Sequence, residues 1–181
     1  MHFLETALAG VLTIEPERRF DERGWFERTY CRREFADQGI DFDPVQESIS
    51  VNHRRGTRRG LHYQAPPAWE PKLVRCTNGA AFDVVVDVQP DSDSFGRWIA
   101  VELSAENGRA VFIPAGFAHG FQTLAEETQM LYLMSEYYDV EVQRGVQSDD
   151  PELAISWPDV AELVISERDL TMPRLREVAR P

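Results

Sequence analysis

Lysine is almost absent from this sequence. Of its 19 basic residues only Lys72 is a lysine, and all the others are arginine. A bias toward arginine codons is the simplest cause of this ratio. A single lysine kept against such a bias is nevertheless a candidate for a role that needs a compact ammonium group rather than a planar guanidinium.

Positive charge and long apolar runs are also scarce. The chain has 19 Lys and Arg against 31 Asp and Glu, for a formal net charge of −12, and such a field repels polyanions. Residues 1–20 contain neither a basic segment ahead of an apolar one nor an apolar stretch long enough to cross a bilayer. We therefore expect a cytoplasmic protein that binds neither nucleic acid nor membranes, although a local basic cluster could hold a small anion.

Cysteine and histidine are too few for a disulfide framework or a histidine-rich metal centre. Cys31 and Cys76 lie far apart and outside any C-x-x-C spacing, which is typical of two reduced thiols. The chain has four histidines, and His2 lies at the N-terminus, so a site with three histidine ligands is hard to assemble. We predict no metal ion and no other cofactor.

Strand patterns dominate the middle of the chain. Residues 80–90 alternate along the chain and end at a Gln-Pro pair, which predicts a half-buried strand. Residues 97–114 predict a hairpin, because the Asn-Gly pair in their middle supplies the positive φ angles of a tight turn. Residues 128–138 alternate again, with Met130 and Tyr132 on the same face.

Helical patterns are short and peripheral. They occupy residues 31–39, which end in glycine, and residues 166–178, where Ser166 could act as the N-cap. No linker, internal repeat or low-complexity tract divides the chain. Strands at intervals of about 8 to 12 residues favour an all-β sandwich or barrel. We predict one domain over residues 1–181.

One segment resembles a known motif. The sequence GRAVFIPAGFAHGFQ (108–122) is similar to the second motif of the cupin jelly rolls, with Gln122 in place of the usual final asparagine. Pro114 and Gly116 turn the chain sharply, so that His119 at the strand end points into the barrel mouth. The resemblance implies an all-β cupin jelly-roll barrel with short peripheral helices.

The first cupin motif is incomplete here. That motif normally supplies a His-x-His pair and a glutamate as metal ligands. The corresponding stretch of this chain offers His62 followed by Tyr63 and Gln64. This departure favours acid–base chemistry without a metal ion over metal catalysis.

The whole chain resembles the dTDP-4-dehydrorhamnose 3,5-epimerase family, the nucleotide-sugar epimerase branch of the cupins. The resemblance runs from about residue 10 to residue 173. It rests on segments in matching order: FDERGWFE, VQESIS, GTRRGLHYQAPP, KLVRC, FDVVVDV, FGRW, LSAENGR, IPAGFAHGF, YYDVEVQRGV, DDPELAISWP and SERD. It implies epimerisation of a dTDP-4-keto-6-deoxyhexose at carbons 3 and 5 in deoxysugar (dTDP-rhamnose-type) biosynthesis.

The resemblance also implies four catalytic residues. Epimerisation beside a 4-keto group needs a base on one side of the sugar and an acid on the other. His62 matches the family's base, and Asp169 matches the aspartate that orients it. Tyr132 matches the acid, because a phenol is protonated at neutral pH. Lys72 matches the lysine that stabilises the developing enolate.

A further set of residues is implied to bind the substrate. Arg59 and Arg23 match the guanidinium groups that hold the diphosphate, and Tyr138 matches the aromatic ring that stacks on the base. Strict strand alternation would place Arg59 and His62 on opposite faces, so we expect the chain to bend at Gly60. The remaining implied contacts are Phe26, Glu27, Gln46, Ser48, His119, Gln143 and Arg168.

The departures from the family lie near the nucleotide end or its approach. Ser48 replaces an asparagine, Gln143 a glutamate and Arg168 a lysine, while Arg58 stands where an apolar residue is usual. Four other functions therefore stay open: a single-site 3- or 5-epimerase on a related nucleotide sugar, a cupin 3,4-ketoisomerase, a metal-dependent cupin such as a dioxygenase, and a binding module without turnover. By the same resemblance we expect a homodimer in which residues 20–27 reach the neighbour's site.

Overall fold

The structure, a computed structural model, describes residues 1–178. Its strands, in chain order, are β1 (His2–Glu5), β2 (Leu12–Glu15), β3 (Arg19–Asp21), β4 (Gly24–Phe26), β5 (Gln46–Asn52), β6 (Arg58–Gln64), β7 (Lys72–Asn78), β8 (Ala80–Asp87), β9 (Trp98–Ser104), β10 (Ala110–Ile113), β11 (Phe117–Thr123), β12 (Thr128–Met134) and β13 (Gln143–Gly145). The helices are α1 (Arg32–Asp37), α2 (Glu167–Leu170) and α3 (Leu175–Val178). Every helix in this range is too short or too polar to pass through a lipid bilayer.

The strands form two facing antiparallel sheets and one small hairpin. The first sheet has the order β1-β2-β10-β7-β12-β5, and the second has the order β13-β6-β11-β8-β9. The hairpin consists of β3 and β4. Strands that are neighbours in space come from distant parts of the sequence, which is the jelly-roll pattern. The predicted fold class, an all-β jelly-roll barrel with short peripheral helices, is confirmed.

The main core lies between the two sheets. Apolar side chains from both sheets meet there, among them Val74, Val85, Phe121 and Met130. Because β12 alternates, Tyr132 lies on the same side as Met130 and packs against this core, as the sequence predicted. The polar residues that face the same interior are therefore enclosed by an apolar wall.

A second core covers the outer face of the five-stranded sheet. The C-terminal segment contributes Val146, Leu153 and Leu175, which pack against Val84 and its neighbours in β8. Strand β8 is consequently buried on both faces rather than half-buried as predicted. The alternation of the strand did not reveal this, because the covering segment, residues 146–178, is distant from β8 in the chain.

The predicted hairpin over residues 97–114 is wrong. Strand β9 pairs with β8, whereas β10 pairs with β2 and β7 in the other sheet. The Asn-Gly turn does form: the Asn107 side chain accepts hydrogen bonds from the backbone N–H groups of Ser104 and Arg109. The turn therefore makes a corner between the sheets, because turn residues specify a change of direction and not the partner strand.

The smaller predictions are confirmed. Helix α1 ends shortly before Gly39, which has a φ of +76°. Ser166 caps α2 by accepting a hydrogen bond from the N–H of Asp169 at 3.1 Å. In the described part of the chain both Cys31 and Cys76 are free thiols.

The predicted bend at Gly60 is also confirmed. In the pairing of β6 with β11, His62 lies opposite His119, and the next paired position is Arg59 opposite Phe121. Strand β6 thus has one more residue than β11 over this interval, which is a β-bulge. Gly60 lies inside it with a φ of +106°. The bulge turns both Arg59 and His62 toward the same pocket.

Replacing Gly60 with alanine is expected to destabilise the fold. An added Cβ would lie 2.7 Å from the backbone Cα of Gly120 and 2.7 Å from the carbonyl oxygen of His119. The positive φ costs about 1–2 kcal/mol and the overpacking about 1–3 kcal/mol more. Chemical denaturation should therefore show a loss of about 2–5 kcal/mol in the free energy of unfolding.

Gly39→Ala is the matched control for this substitution. Gly39 also has a positive φ, but an added Cβ would meet no atom within 4 Å. Only the backbone cost of about 1–2 kcal/mol is expected there. Equal losses at the two positions would contradict the close approach of β6 and β11.

Candidate active site

A pocket opens between the two sheets, and most of the predicted site residues meet in it. Strands of both sheets contribute to its walls, which places side chains on opposite sides of one cavity. The predicted residues that line it are Ser48, Arg59, His62, Lys72, His119, Tyr132, Tyr138 and Gln143.

On the wall formed by the five-stranded sheet, His62 is paired with Asp169. The Nε2 atom of His62 lies 2.9 Å from Oδ1 of Asp169, and the other carboxylate oxygen accepts the N–H of Gly60 at 3.0 Å. The His62 side chain is 31% exposed and the Asp169 side chain only 6%. The imidazole can therefore meet a ligand in the pocket while its carboxylate partner is shielded from solvent.

Several contacts keep Asp169 ionised. Burial alone would raise the pKa of the Asp169 carboxyl, but hydrogen bonds from His62, the Gly60 N–H and Ser166 together hold this pKa below its usual value. Asp169 lies in helix α2, and the Ser166 cap fixes the first turn of this helix. A charged carboxylate in this position orients the imidazole and stabilises its protonated form.

On the facing wall, Tyr132 projects from β12 of the six-stranded sheet. Its ring meets that of His119 edge-on, with centroids 6.1 Å apart. Burial raises the pKa of the Tyr132 phenol, and the Asp83 carboxylate raises it further against the opposing charge of Arg59. The phenol therefore keeps its proton throughout the neutral range.

A second histidine–carboxylate pair joins β11 and β8 of the five-stranded sheet. The Nε2 atom of His119 lies 2.7 Å from Oδ2 of Asp83, and both side chains are almost fully buried. Burial raises the pKa of Asp83, while His119 and then Lys72 counteract the rise. The sequence analysis did not assign Asp83, although a carboxylate on the same strand face as the core residue Val85 was a sign of a buried polar contact.

Lys72 also has a partner that the sequence analysis did not assign. Its Nζ lies 2.7 Å from Oε1 of Glu70, and the side chains are 9% and 6% exposed, respectively. Both residues line the pocket. Glu70 lies two residues from the only lysine of the chain, and this proximity was the signal available in the sequence.

The pocket mouth gathers the residues predicted for the nucleotide end. The Tyr138 hydroxyl donates to Oε1 of Gln143 at 2.5 Å, and the Arg168 guanidinium donates to the same oxygen. Gln46 does not line the pocket, but its Oε1 accepts the backbone N–H of Tyr138 at 2.7 Å. The side-chain oxygen of Gln143 therefore holds both the Tyr138 ring and the Arg168 guanidinium beside the entrance.

Arg59 is exposed and lines the pocket. Its Nε donates to Oδ1 of Asn52 at 2.8 Å. Asn52 is the last residue of β5, which belongs to the opposite sheet. Ser48 lies on the same strand and lines the pocket too. The remaining guanidinium nitrogens of Arg59 can donate to a bound anion.

Besides Gln46 and Arg168, which bond to residues at the pocket mouth, three predicted substrate contacts do not line this pocket. Arg23 and Phe26 belong to the exposed hairpin of β3 and β4, where Arg23 pairs with its own neighbour Asp21. The Glu27 side chain is 2% exposed and is enclosed by Arg18 and Arg75. None of these three lines the pocket of its own chain within residues 1–178. Their action in a neighbour's site stays a prediction.

The unusual Arg58 has a structural partner. Its guanidinium lies over the ring of Trp157 at 4.3 Å, and its Nε and one terminal nitrogen both donate to Oε1 of Gln122. Burial lowers the pKa of Arg58, and Asp149 opposes this effect. The Arg58 guanidinium therefore links Trp157 of the C-terminal segment to Gln122 of the barrel, and it does not line the pocket.

Metal ligands do not assemble in the described structure. Among residues 1–178, no group of three or more histidine, cysteine, aspartate or glutamate side chains is arranged to hold a metal ion. The two histidines of the pocket each pair with a separate carboxylate. What the pocket does offer is an imidazole paired with a buried carboxylate, a protonated phenol on the facing wall, and an ammonium group.

Both sequence and structure relate this chain to one family of known proteins. A model of the family "dTDP-4-dehydrorhamnose 3,5-epimerase" matches residues 5–177. The chain is 42% identical to dTDP-4-dehydrorhamnose 3,5-epimerase of Sinorhizobium fredii, over 98% of this chain and 91% of that protein. It is 37% identical to dTDP-4-dehydro-6-deoxyglucose 3-epimerase of Streptomyces bikiniensis, over 96% of this chain and 89% of that protein. The crystal structure of a dTDP-6-deoxy-D-glucose-3,5-epimerase from Legionella pneumophila in complex with dTDP-4-keto-L-rhamnose matches with a TM-score of 0.92 at 36% identity, over 97% of this chain and 93% of that chain. The chain belongs to the dTDP-4-dehydrorhamnose 3,5-epimerase family.

Proposed function

We propose that this protein is an isomerase that epimerises a dTDP-4-keto-6-deoxyhexose at carbons 3 and 5, in deoxysugar biosynthesis of the dTDP-rhamnose type. The observation that carries the proposal is the placement of His62 and Tyr132 on opposite sheets around one pocket. An epimerase removes a proton from one face of the sugar and returns one to the other face. A base and an acid on facing walls supply both steps without either group crossing the ring.

His62 acts as the base. Its Nε2 carries the hydrogen that is donated to Asp169, so in the neutral imidazole Nδ1 is the nitrogen free to accept a proton. Abstraction from a carbon beside the 4-keto group converts the ring to an imidazolium. The buried carboxylate of Asp169 stabilises that cation, as the third member of a catalytic triad does.

Lys72 stabilises the negative charge that moves to the keto oxygen. An ammonium group in a largely enclosed pocket interacts with an enolate oxygen more strongly than it would in water. His119 lies in the same pocket, with its Nε2 committed to Asp83, and is proposed to hydrogen-bond the substrate through its other ring nitrogen. Lys72 projects from β7 of the six-stranded sheet and His119 from β11 of the five-stranded sheet.

Tyr132 completes the reaction by giving its phenolic proton to the opposite face. Because burial raises the pKa of this phenol, the proton is present at neutral pH and is transferred only to a strong base such as an enolate carbon. Carbons 3 and 5 flank the same carbonyl group. The same base and the same enolate-stabilising group therefore serve both positions, once the His62 imidazolium has lost its proton to solvent and the Tyr132 phenolate has regained one.

The nucleotide end of the substrate is proposed to lie at the pocket mouth. Arg59 binds the diphosphate, and Tyr138 stacks on the base beside Gln143 and Arg168. Ser48, on the wall of the same pocket, contributes a further contact. Gln46 supports this region through the backbone of Tyr138.

The active form is proposed to be a homodimer of one-domain subunits that works in the cytoplasm. The hairpin of β3 and β4 exposes the large apolar rings of Phe20 and Phe26, and exposed apolar groups of this size are typical of an interaction surface. Arg23 and Phe26 would then serve the neighbour's pocket, and Glu27 would do so on leaving its ion pairs with Arg18 and Arg75. The proposed domain spans residues 1–181, of which 179–181 lie outside the described residues.

Solvent deuterium exchange tests the proposed reaction. The protein is incubated in heavy water with a dTDP-4-keto-6-deoxyhexose, and the products are examined by NMR. We expect deuterium at both carbon 3 and carbon 5, with inversion at each. The absence of exchange at both carbons with several 4-keto nucleotide sugars would contradict the proposal.

A 3-epimerase is the second candidate. One of the relatives is named a 3-epimerase and is 37% identical over nearly the whole chain. The same exchange experiment separates the two functions, because a 3-epimerase would place deuterium with inversion at carbon 3 alone.

A further inference from the structure

Glu70 and Lys72 form a buried ion pair inside the pocket. The Nζ of Lys72 lies 2.7 Å from Oε1 of Glu70, and neither side chain is more than 9% exposed. The pair lies among the groups assigned to catalysis above, since both residues line the same pocket as His62 and Tyr132. Burying two charges is costly unless their geometry is good, which raises the question of what the carboxylate contributes.

A second carboxylate competes for the same ammonium group. Asp83 is fully buried, and within residues 1–178 its Oδ1 has no hydrogen-bond partner. His119, the hydrogen-bond partner of Asp83, lines the same pocket as Lys72, and the positive charge of Lys72 counteracts the rise in the pKa of Asp83. A buried carboxylate oxygen without a partner attracts a nearby cation strongly. The flexible Lys72 side chain is therefore drawn in two directions.

Glu70 decides between these two positions. Where its carboxylate is present, it holds the ammonium at 2.7 Å, which leaves Asp83 to His119. An ammonium group has three N–H donors, so a single bond to Glu70 leaves two for a ligand. Without Glu70, we expect the ammonium group to turn toward Oδ1 of Asp83, which has no hydrogen-bond partner among residues 1–178.

We infer that Glu70 is a positioning residue, which holds the Lys72 ammonium toward the substrate's keto oxygen and away from Asp83. The inference rests on the proposed function only for the identity of that oxygen. The position of the ammonium is a property of the free protein. It can therefore be measured without any substrate.

The single lysine of this chain makes the measurement direct. Protein labelled with [15N]lysine carries one side-chain 15N nucleus, that of Lys72, so its NMR signal needs no assignment. We expect Glu70→Ala to shift this signal. The further change Asp83→Asn is expected to move the signal more in the Glu70→Ala protein than in the otherwise wild-type protein, because only in the former is Asp83 the partner of Lys72.

Kinetics give the second readout. We expect Glu70→Ala to lower kcat by about 10- to 100-fold, the range for an electrostatic group that is misplaced but not removed, with KM changed by less than about threefold. Glu70→Gln keeps an oxygen acceptor in the same place, and we expect it to retain most of the activity. In a Lys72→Met background, Glu70→Ala should cause almost no additional loss, because residues that act through one another are not additive.

The control is Glu15→Ala, which removes the carboxylate of the Glu15 and Arg109 ion pair far from the pocket. It should leave both readouts unchanged. An unshifted Lys72 signal in Glu70→Ala would overturn the inference, and so would an equal loss of activity in the wild-type and Lys72→Met backgrounds. Wild-type protein that shows no exchange with any 4-keto sugar would instead contradict the proposed function, while the NMR experiment would still decide the role of Glu70.

Discussion

Replacing His62 with alanine is expected to lower kcat/KM for epimerisation by about 10³- to 10⁴-fold, the upper part of the range for a general base. The structure leaves no substitute at this position: the neighbouring Asp169 is buried, and hydrogen bonds keep its pKa below the usual value. A carboxylate of lowered pKa is a weak base. The same loss should therefore appear in deuterium exchange at both carbons, measured by NMR.

The matched control is His53→Ala. His53 is exposed, pairs with Glu127 and does not line the pocket, so removing it should change neither exchange nor epimerisation. His53→Ala should unfold at nearly the wild-type denaturant concentration because His53 is exposed. His62→Ala should lose about 1–3 kcal/mol of stability, because the buried Asp169 carboxylate loses a hydrogen bond. Exchange at the wild-type rate in His62→Ala would show that another group removes the proton.

The sequence was sufficient where function depends on local chain geometry. The bend at Gly60 followed from two residues, Arg59 and His62, that both had to face one pocket although strand alternation separated them. The cap of α2 followed from the position of Ser166, and this cap sets the first turn from which Asp169 reaches His62. These features depend on neighbours within a few residues, which a single sequence displays directly.

The sequence was insufficient where distant segments meet. The partner of Lys72 could have been suspected from proximity, but the pairing of His119 with Asp83 depends on the register between β8 and β11. The corner at Asn107 was mistaken for a hairpin because its turn chemistry is the same in both. A strand's partners depend on which faces of the assembled sheets are buried. The pattern of a single sequence does not show this.

The departures of this chain have two different consequences. Arg58 was expected near the nucleotide approach, yet it packs over Trp157 and bonds to Gln122, so it affects the attachment of the C-terminal segment. Gln143 and Arg168, in contrast, remain together at the pocket mouth. Altered recognition of the nucleotide is thus to be sought at the mouth, where Gln143 lines the pocket.

Replacing Tyr132 with phenylalanine should separate proton removal from inversion. The ring and its edge-on contact with His119 are retained, so the fold and the pocket shape should persist. His62 can still remove the proton from carbon 5, and its partly exposed ring can exchange that proton with solvent. Without the phenol, the enolate is reprotonated from the His62 side only. We therefore expect deuterium to enter carbon 5 with the configuration retained, while inversion at carbon 5 falls by about 10²-fold or more.

Tyr30→Phe is the control for the loss of a partly buried phenol. The Tyr30 hydroxyl donates to the carbonyl of Phe42 at 2.6 Å, in the cluster around α1 outside the pocket. Its removal should cost about 0.5–1.5 kcal/mol of stability and leave the stereochemistry unchanged. If Tyr132→Phe inverted carbon 5 at the wild-type rate, the acid would have to be another group. If it lost exchange as completely as His62→Ala, Tyr132 would be needed for proton removal itself. The assignment of proton removal to His62 and reprotonation to Tyr132 would then be wrong.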